Sequence, residues 1–247
     1  MNSFHDKTAV ITGAASGIGA AIAKECAKKN MKIVLADINC DKLIKLKETL
    51  KDKNDNIIAV VTDVSKKSDI ENLAAETLSK FDTVHLLFNN AGIAGPLGAI
   101  WEVNETKLQQ VIDVNLMSVI YGLRTFIPIM LEQRENCYIV NTASGAGLHA
   151  SPNMSGYMAT KHAIIALSEV LYFDLEQRKA NINVSVLCPG MVVSDLTNSM
   201  QVEVNAPLEV KEQADFLEKS IKSGMSAEKV AKQVFAAIET NQFYILN

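Results

Sequence analysis

Tyr157 and Lys161 stand four apart in an amphipathic stretch, Gly156–Arg178, that reads as a helix, so their side chains share one face. A free tyrosine titrates near ~10. A neighbouring ammonium favours the phenolate, so this spacing predicts a phenol tuned toward neutral pH. Such a group takes a proton from an alcohol or returns one to a developing alkoxide. Taken alone, the pair also describes an ordinary contact on the surface of a long helix.

A second group lies near the N-terminus. In Thr12-Gly-Ala-Ala-Ser-Gly-Ile-Gly19, residues Gly13, Gly17 and Gly19 follow the spacing G-x-x-x-G-x-G. Glycines let a backbone turn sharply and approach a pyrophosphate, and a helix opening there supplies free amides and partial positive charge. Ser16 and Ile18, set among these glycines, join them as candidate cofactor contacts. Asp37 follows Gly19 by eighteen positions, at the end of the next apolar run. An acid so placed accepts hydrogen bonds from the adenosine ribose hydroxyls. It also repels a 2′-phosphate: two unit charges ~4 Å apart cost about 4 kcal/mol at an effective dielectric near 20. Ala14, Ala15, Ser16, Ile38 and Asn39 bring no compensating cation, and Lys42, the nearest one, has Asp41 beside it. The expected cofactor is therefore NAD rather than NADP.

These residues need elements to hold them. Short β-branched runs recur at Thr8–Thr12, Lys32–Ala36, Ile57–Val61, Val84–Phe88, Tyr138–Thr142 and Ile182–Leu187. Each is nearly continuous in apolar character, as strands buried on both faces are. Between them, Gly17–Lys29, Asp41–Lys53, Ser68–Lys80, Glu105–Gln133 and Gly156–Arg178 read as amphipathic helices. Ser68 and Glu71 form a capping-box pattern, and Ser226 caps a last helix running to about Thr240. Phe243–Leu246 reads as a final strand. The alternation predicts an α/β fold: one Rossmann-like, doubly wound parallel sheet of about seven strands with helices on both faces, a single domain over residues 1–247. It lapses from about Met191 to Gly224. That segment (191–224) reads as a substrate loop, with Leu196–Gly224 as a lid that orders over substrate.

The chain resembles the short-chain dehydrogenase/reductase family in its compact single-domain, NAD-type branch. The resemblance runs from about Thr8 to Ser194 and more weakly beyond. Its motifs occur in order: the glycine turn, Asp63-Val64, Asn89-Asn-Ala-Gly92, Asn115, Ser144, Tyr157/Lys161 and Pro189-Gly190, with thirteen positions from Ser144 to Tyr157. The resemblance implies Tyr157 as general acid/base and Lys161 as the residue that lowers its pKa and holds the nicotinamide ribose. It implies Ser144 as the partner of the substrate oxygen. Asn115 would distort its helix and anchor a water linking Lys161 to solvent. Asp63 and Val64 would meet the adenine, and Asn90, Ala91 and Gly92 would line the adenosine side. Pro189, Gly190, Val192 and Ser194 would cover the nicotinamide; Ser194 stands where a threonine is more usual. The strand ends agree, since open parallel sheets bind ligands at their carboxyl edges.

Hydride exchange with a nicotinamide requires an alcohol, a ketone or a close relative as substrate. Leu97, Leu148, Met154, Met191, Leu196 and Met200 would form an apolar, adaptable pocket wall, unless they are ordinary core. A hydrophobic secondary alcohol or ketone fits such a wall. His149 is assigned to a backbone bond rather than to substrate, and Trp101 to packing. Two alternatives stay open: a dinucleotide-binding redox sensor without turnover, and an NADPH-dependent reductase of carrier-bound ketoacyl chains.

Composition narrows the classes. The 247 residues are 48% apolar, enough for a sizeable core. With 24 basic and 28 acidic residues the net charge is −4, which argues against a nucleic-acid or anionic-membrane partner. No fully apolar run approaches the ~18 residues of a membrane span, and the polar start carries no secretion pattern. Cys26, Cys40, Cys137 and Cys188 are widely spaced and read as reduced thiols of a cytoplasmic protein. The histidines form no metal-ligand spacing, so no metal is expected. The apolar surfaces of Glu105–Gln133 and Gly156–Arg178 predict a homotetramer or homodimer.

Overall fold

The computed structural model describes residues 3–51 and 56–247. Seven parallel strands form one sheet in the order β3-β2-β1-β4-β6-β7-β9. They are β1 (Thr8–Thr12), β2 (Lys32–Asp37), β3 (Ile57–Val61), β4 (Leu86–Asn89), β6 (Cys137–Thr142), β7 (Ile182–Cys188) and β9 (Tyr244–Leu246). A two-stranded parallel pair joins β5 (Gly95–Leu97) to β8 (Met200–Val202).

The strands are apolar throughout because both faces are covered. Along β1, Ala9 and Ile11 enter one core and Val10 the other, the period of two that a pleated strand imposes. The first core packs under α1 (Gly17–Lys28), α2 (Cys40–Lys51) and α8 (Ala227–Thr240). The second lies under α3 (Lys67–Phe81), α5 (Ser118–Gln133) and α6 (Ser155–Gln177). Residues 52 and 53, expected at the end of α2, lie outside the described residues.

Three details depart from the sequence reading. The helix α3 starts at Lys67 with Lys66 as its cap, so Ser68 and Glu71 make no capping box. Instead the Asp63 amide donates to Asp69 Oδ2 and Lys67 pairs with Glu71 at 2.9 Å. The carboxylate of Asp69, in the first turn, thus reaches back to the segment that precedes the helix. The long helix Glu105–Gln133 is also not uniform. Between α4 (Glu105–Val111) and α5 it opens into a π-helical stretch, Ile112–Met117. Its length and apolarity would suit a membrane span by composition, but Val119, Leu123, Phe126 and Met130 are buried against the sheet.

The third departure is the segment after β7. The expected irregular loop holds a 3-10 turn (Asp195–Ser199), the strand β8 and a helix α7 (Leu208–Lys222). It is tied down at several points. Ser199 Oγ accepts from the Ala94 amide at 2.8 Å, and Lys107 pairs with Glu203 at 2.8 Å. Gln213 accepts from Asn153 at 3.0 Å and donates to the Pro152 carbonyl at 3.0 Å. Every one of these partners is distant in sequence, so periodicity carried no sign of them. As expected, Ser226 caps α8, accepting from the Lys229 amide.

Candidate active site

The sheet order reverses between β1 and β4, and the crevice at that point is where ligands bind in open parallel sheets. Its floor is sewn by Thr12, whose hydroxyl donates to the Phe88 carbonyl and accepts from the Asn90 and Ala91 amides at 2.9 and 3.2 Å. Asn90 Nδ2 returns a bond to the Thr12 carbonyl at 3.1 Å. Gly13 then turns with φ +64°, and a Cβ there would lie 2.8 Å from Ala91 Cα. A Cβ on Gly19 would lie 2.1 Å from the Gly13 carbonyl oxygen. No other residue type fits either position. Ser16 caps α1 in extended conformation without a side-chain bond of its own.

A cleft of about 580 Å³ opens above this turn. At one end, Asp37 Oδ2 accepts from the Ala15 amide at 3.0 Å and Oδ1 from the Asn39 amide at 2.9 Å. Both oxygens are thereby oriented, with lone pairs left for further hydroxyl donors. Asp63 and Val64 line the same end. Asp63 accepts from Ser65 and pairs with Lys66 at 3.3 Å, and these partners hold its carboxyl below the usual range against the opposing effect of burial.

The other end is buried. Lys161 is 3% exposed, and its ammonium donates to the Thr142 carbonyl at 3.0 Å. It stands 5.5 Å from the centre of the Tyr157 ring. Loss of water brings Lys161 down to about 8. The Tyr157 phenol is held above its ordinary value by burial, and the neighbouring Ser144 hydroxyl opposes that rise. This corrects the expectation of a lowered tyrosine. Four-residue spacing puts the lysine on the same helix face, and burial is the leading cause of the shift at both groups. Ser144 closes the first turn of Gly145–Gly147 by accepting from the Ala146 amide at 3.1 Å.

Asn115 sits fully buried in the π-helical stretch. Its Oδ1 accepts from the Ile93 amide at 2.8 Å and its Nδ2 donates to the Ile93 carbonyl at 3.0 Å and to Thr160 at 3.3 Å. Thr160 in turn donates to the Tyr157 carbonyl at 2.7 Å. The widened turn therefore links the segment after β4 to the helix that carries Tyr157 and Lys161. Such insertions concentrate at functional sites. A Cβ on Gly92 would stand 3.3 Å from Asn115 Oδ1 and 3.5 Å from the Lys161 ammonium, so the glycine keeps that approach open.

Gly13, Ser16, Gly17, Ile18, Asp37, Asp63, Val64, Asn90, Ala91, Gly92, Tyr157, Lys161, Pro189 and Ser194 all line this one cleft. Gly19, Asn115 and Ser144 stand behind or beside its wall. Gly190 and Val192 do not line it: the Gly190 amide donates to Asn247, and Val192 is buried and bridges to Met225. The expected apolar wall is largely elsewhere too. Of its six residues only Leu196 lines the cleft, where Ile93 and Val114 join it; Leu97 is buried, and Leu148 and Met191 are exposed. Trp101, expected to pack, is 81% exposed. His149 Nδ1 meets the Gly145 carbonyl at 2.9 Å, a backbone bond as expected. The sequence reading passed over Thr142, which its place at a strand end would have flagged. It also passed over Asp195, for which no local signal exists.

The glycine cradle, the free start of α1 and the oriented Asp37 carboxylate fit a dinucleotide that runs from the exposed end of the cleft to the buried one. Comparison with known proteins agrees. A model of the short chain dehydrogenase family matches residues 7–205. A CLA biosynthesis dehydrogenase/reductase of Lactiplantibacillus plantarum is 36% identical over 256 residues, covering 100% of this chain and 89% of the relative. A 3beta-hydroxysteroid dehydrogenase 2 of Eggerthella lenta is 33% identical over 195 residues, covering 79% of this chain and 74% of that one. Among solved structures, a short chain dehydrogenase/reductase from Burkholderia phymatum in complex with NAD superposes with TM-score 0.93 at 40% identity, covering 100% of this chain and 90% of that one.

Proposed function

The chain belongs to the short-chain dehydrogenase/reductase family, and from that premise we propose that it is an NAD-dependent oxidoreductase interconverting a hydrophobic secondary alcohol and its ketone. One observation carries this reading. Tyr157 and Lys161, with Ser144 beside the phenol, stand at the buried end of the same cleft whose open end holds the glycine turn and Asp37. A redox sensor would need the second set and have no use for the first.

Bound NAD supplies the hydride acceptor for alcohol oxidation and, reduced, the donor for the reverse. The chain's own residues do the rest. The Ser144 hydroxyl holds the substrate oxygen, and Tyr157 takes the alcohol proton or returns it to the developing alkoxide. Lys161 places positive charge beside the phenol and would hold the nicotinamide ribose, and Asn115 ties the π-helical turn to Ile93 and Thr160. Burial of Tyr157 and Lys161 keeps bulk water from the reacting oxygen. Asp37 would accept hydrogen bonds from the adenosine ribose hydroxyls and repel a 2′-phosphate, which favours NAD; the 40% identical Burkholderia phymatum structure is an NAD complex. Ile93, Val114 and Leu196 favour an apolar substrate. The relative named for a 3beta-hydroxysteroid supports the same class.

We further propose that the segment 196–224 covers bound substrate, and that copies of the chain pair through α5 and α6. Those helices leave Leu131, Val170, Tyr172 and Phe173 exposed. Light scattering reads the second point; protection of 196–224 from protease by NAD and substrate together reads the first.

The primary test is a fluorescence titration with NADH and NADPH, followed by NAD turnover of hydrophobic secondary alcohols. Tighter binding of NADH with turnover is the expected result. Preference for NADPH would overturn the electrostatic reading of Asp37. Binding without turnover of any alcohol would favour the sensor.

A further inference from the structure

Lys42 stands at the mouth of the cleft, beside its sequence neighbours Asp37 and Asn39. It is not engaged by Asp41. Its ammonium reaches Asp195, in the 3-10 turn after Ser194, at 2.5 Å and across 153 positions of chain. Both residues line the cleft, Lys42 on the wall that carries Asp37 and Asn39, and Asp195 on the wall that carries Ser194 and Leu196. Among the described residues, Lys42 and Lys161 are the two cations in that lining, and Lys161 belongs to the buried end. Lys66, nearby, is paired with Asp63.

The turn that presents Asp37 also presents Lys42. Asp37 accepts from the Asn39 amide, and Asn39 Oδ1 accepts from the Lys42 amide at 3.0 Å. Lys42 is therefore the cation built into the ribose end of the site, and an incoming 2′-phosphate would draw on it. We propose that Asp195 is a cofactor-specificity residue: by holding Lys42 in an ion pair across the cleft, it withholds that cation from a 2′-phosphate. Asp37 repels the phosphate directly, and Asp195 removes its one compensation. The inference rests on NAD being the cofactor.

The strength is bounded by exposure. The two side chains are 51% and 47% exposed, so the pair is worth at most a few-fold in an equilibrium. The test is a fluorescence titration of the full chain and of Asp195→Asn, Lys42→Met and the double variant with NADH and NADPH. It is run at about 0.05 M and about 0.5 M salt. NADH binding by each variant shows that the fold is intact. In Asp195→Asn, NADPH is expected to bind about fivefold tighter while NADH changes less than twofold. The gain should vanish in the double variant and shrink at high salt. An unchanged NADPH affinity in Asp195→Asn overturns the proposal. A gain that survives in the double variant also overturns it, since removal of a negative charge alone would then explain the effect. A wild-type preference for NADPH is a separate result: it defeats the NAD reading, not the clasp, which the variants still read.

Discussion

Lys161 and Lys42 line one cleft, and they differ in almost every physical respect. Lys161 is buried, has a backbone carbonyl for a partner and is brought down to about 8 by desolvation. Lys42 is half-exposed, has a carboxylate partner and is held above its ordinary value by that bond. Residue type is the same, so the fold sets the difference. Where water is removed and no carboxylate replaces it, a lysine becomes easier to deprotonate. Where water remains, the charge is secure and the ion pair is weak and reversible. The buried end suits proton transfer, and the open end suits recognition of a charged ligand.

The contrast can be broken by removing one member at a time. The largest effect is expected from Tyr157→Phe, which deletes the hydroxyl proposed to transfer the proton at the buried end. The kcat should fall by roughly 10³-fold or more, with NADH affinity within about threefold of wild type. Comparable turnover in initial-rate assays would refute Tyr157 as the acid/base.

Lys161→Met should lower kcat and raise stability together. The folded value lies near about 8 against an ordinary 10.5. The unfolded chain therefore binds a proton that the native state gives up between those values, and the native state carries the cost of a buried charge below about pH 8. Removing the amine is expected to raise Tm at pH 7 by a few degrees, roughly 2 kcal/mol less the lost Thr142 bond. The gain should shrink as pH rises toward 10.5. Thermal scans at pH 7 and 10 decide; an equal loss of stability at both would mean that burial does not govern this lysine.

His85 extends the same rule to the opposite edge of the sheet. It is buried, accepts from the Thr8 amide through Nδ1 at 3.0 Å and meets Glu135 through Nε2 at 2.8 Å. Burial holds it below its ordinary 6.5 although Glu135 opposes this. Its contribution is complete above that value and is lost as pH falls toward the folded value, because only the unfolded chain takes up the proton. His85→Asn should cost about 1 kcal/mol at pH 7.5 and flatten the loss of Tm between pH 6.5 and 5. An unaltered slope would remove His85 from the account.

The smallest effect belongs to Lys42→Met. Deleting an exposed pair should shift Tm by about 1 °C or less at 0.15 M salt. A shift of several degrees would show that the clasp carries structural weight as well as a part in recognition.

Legibility followed the range of the interactions. The glycine turn, Asp37 and the Tyr157/Lys161 pair were readable because each motif is contiguous or one helical turn long. The strands and most helix bounds followed from apolar runs, since burial on both faces leaves its mark residue by residue. The start of α3 differs because Lys66, not Ser68, takes the cap position, and the first-turn carboxylate of Asp69 bonds back to the Asp63 amide. The helix α7 buries only Val210 and Ile221, and its anchors, Asn153 and Pro152, come from elsewhere.

By itself, then, the sequence determined the parallel α/β fold, the dinucleotide end of the cleft and the residues able to exchange a proton, all of them written in short-range spacing and apolar period. Only the tertiary structure decided the burial of Tyr157 and Lys161, the π-helical turn behind them and the partner of Lys42. Desolvation depends on every element packed around a group, and a contact across 153 positions exists only once the sheet has brought both walls of the cleft together.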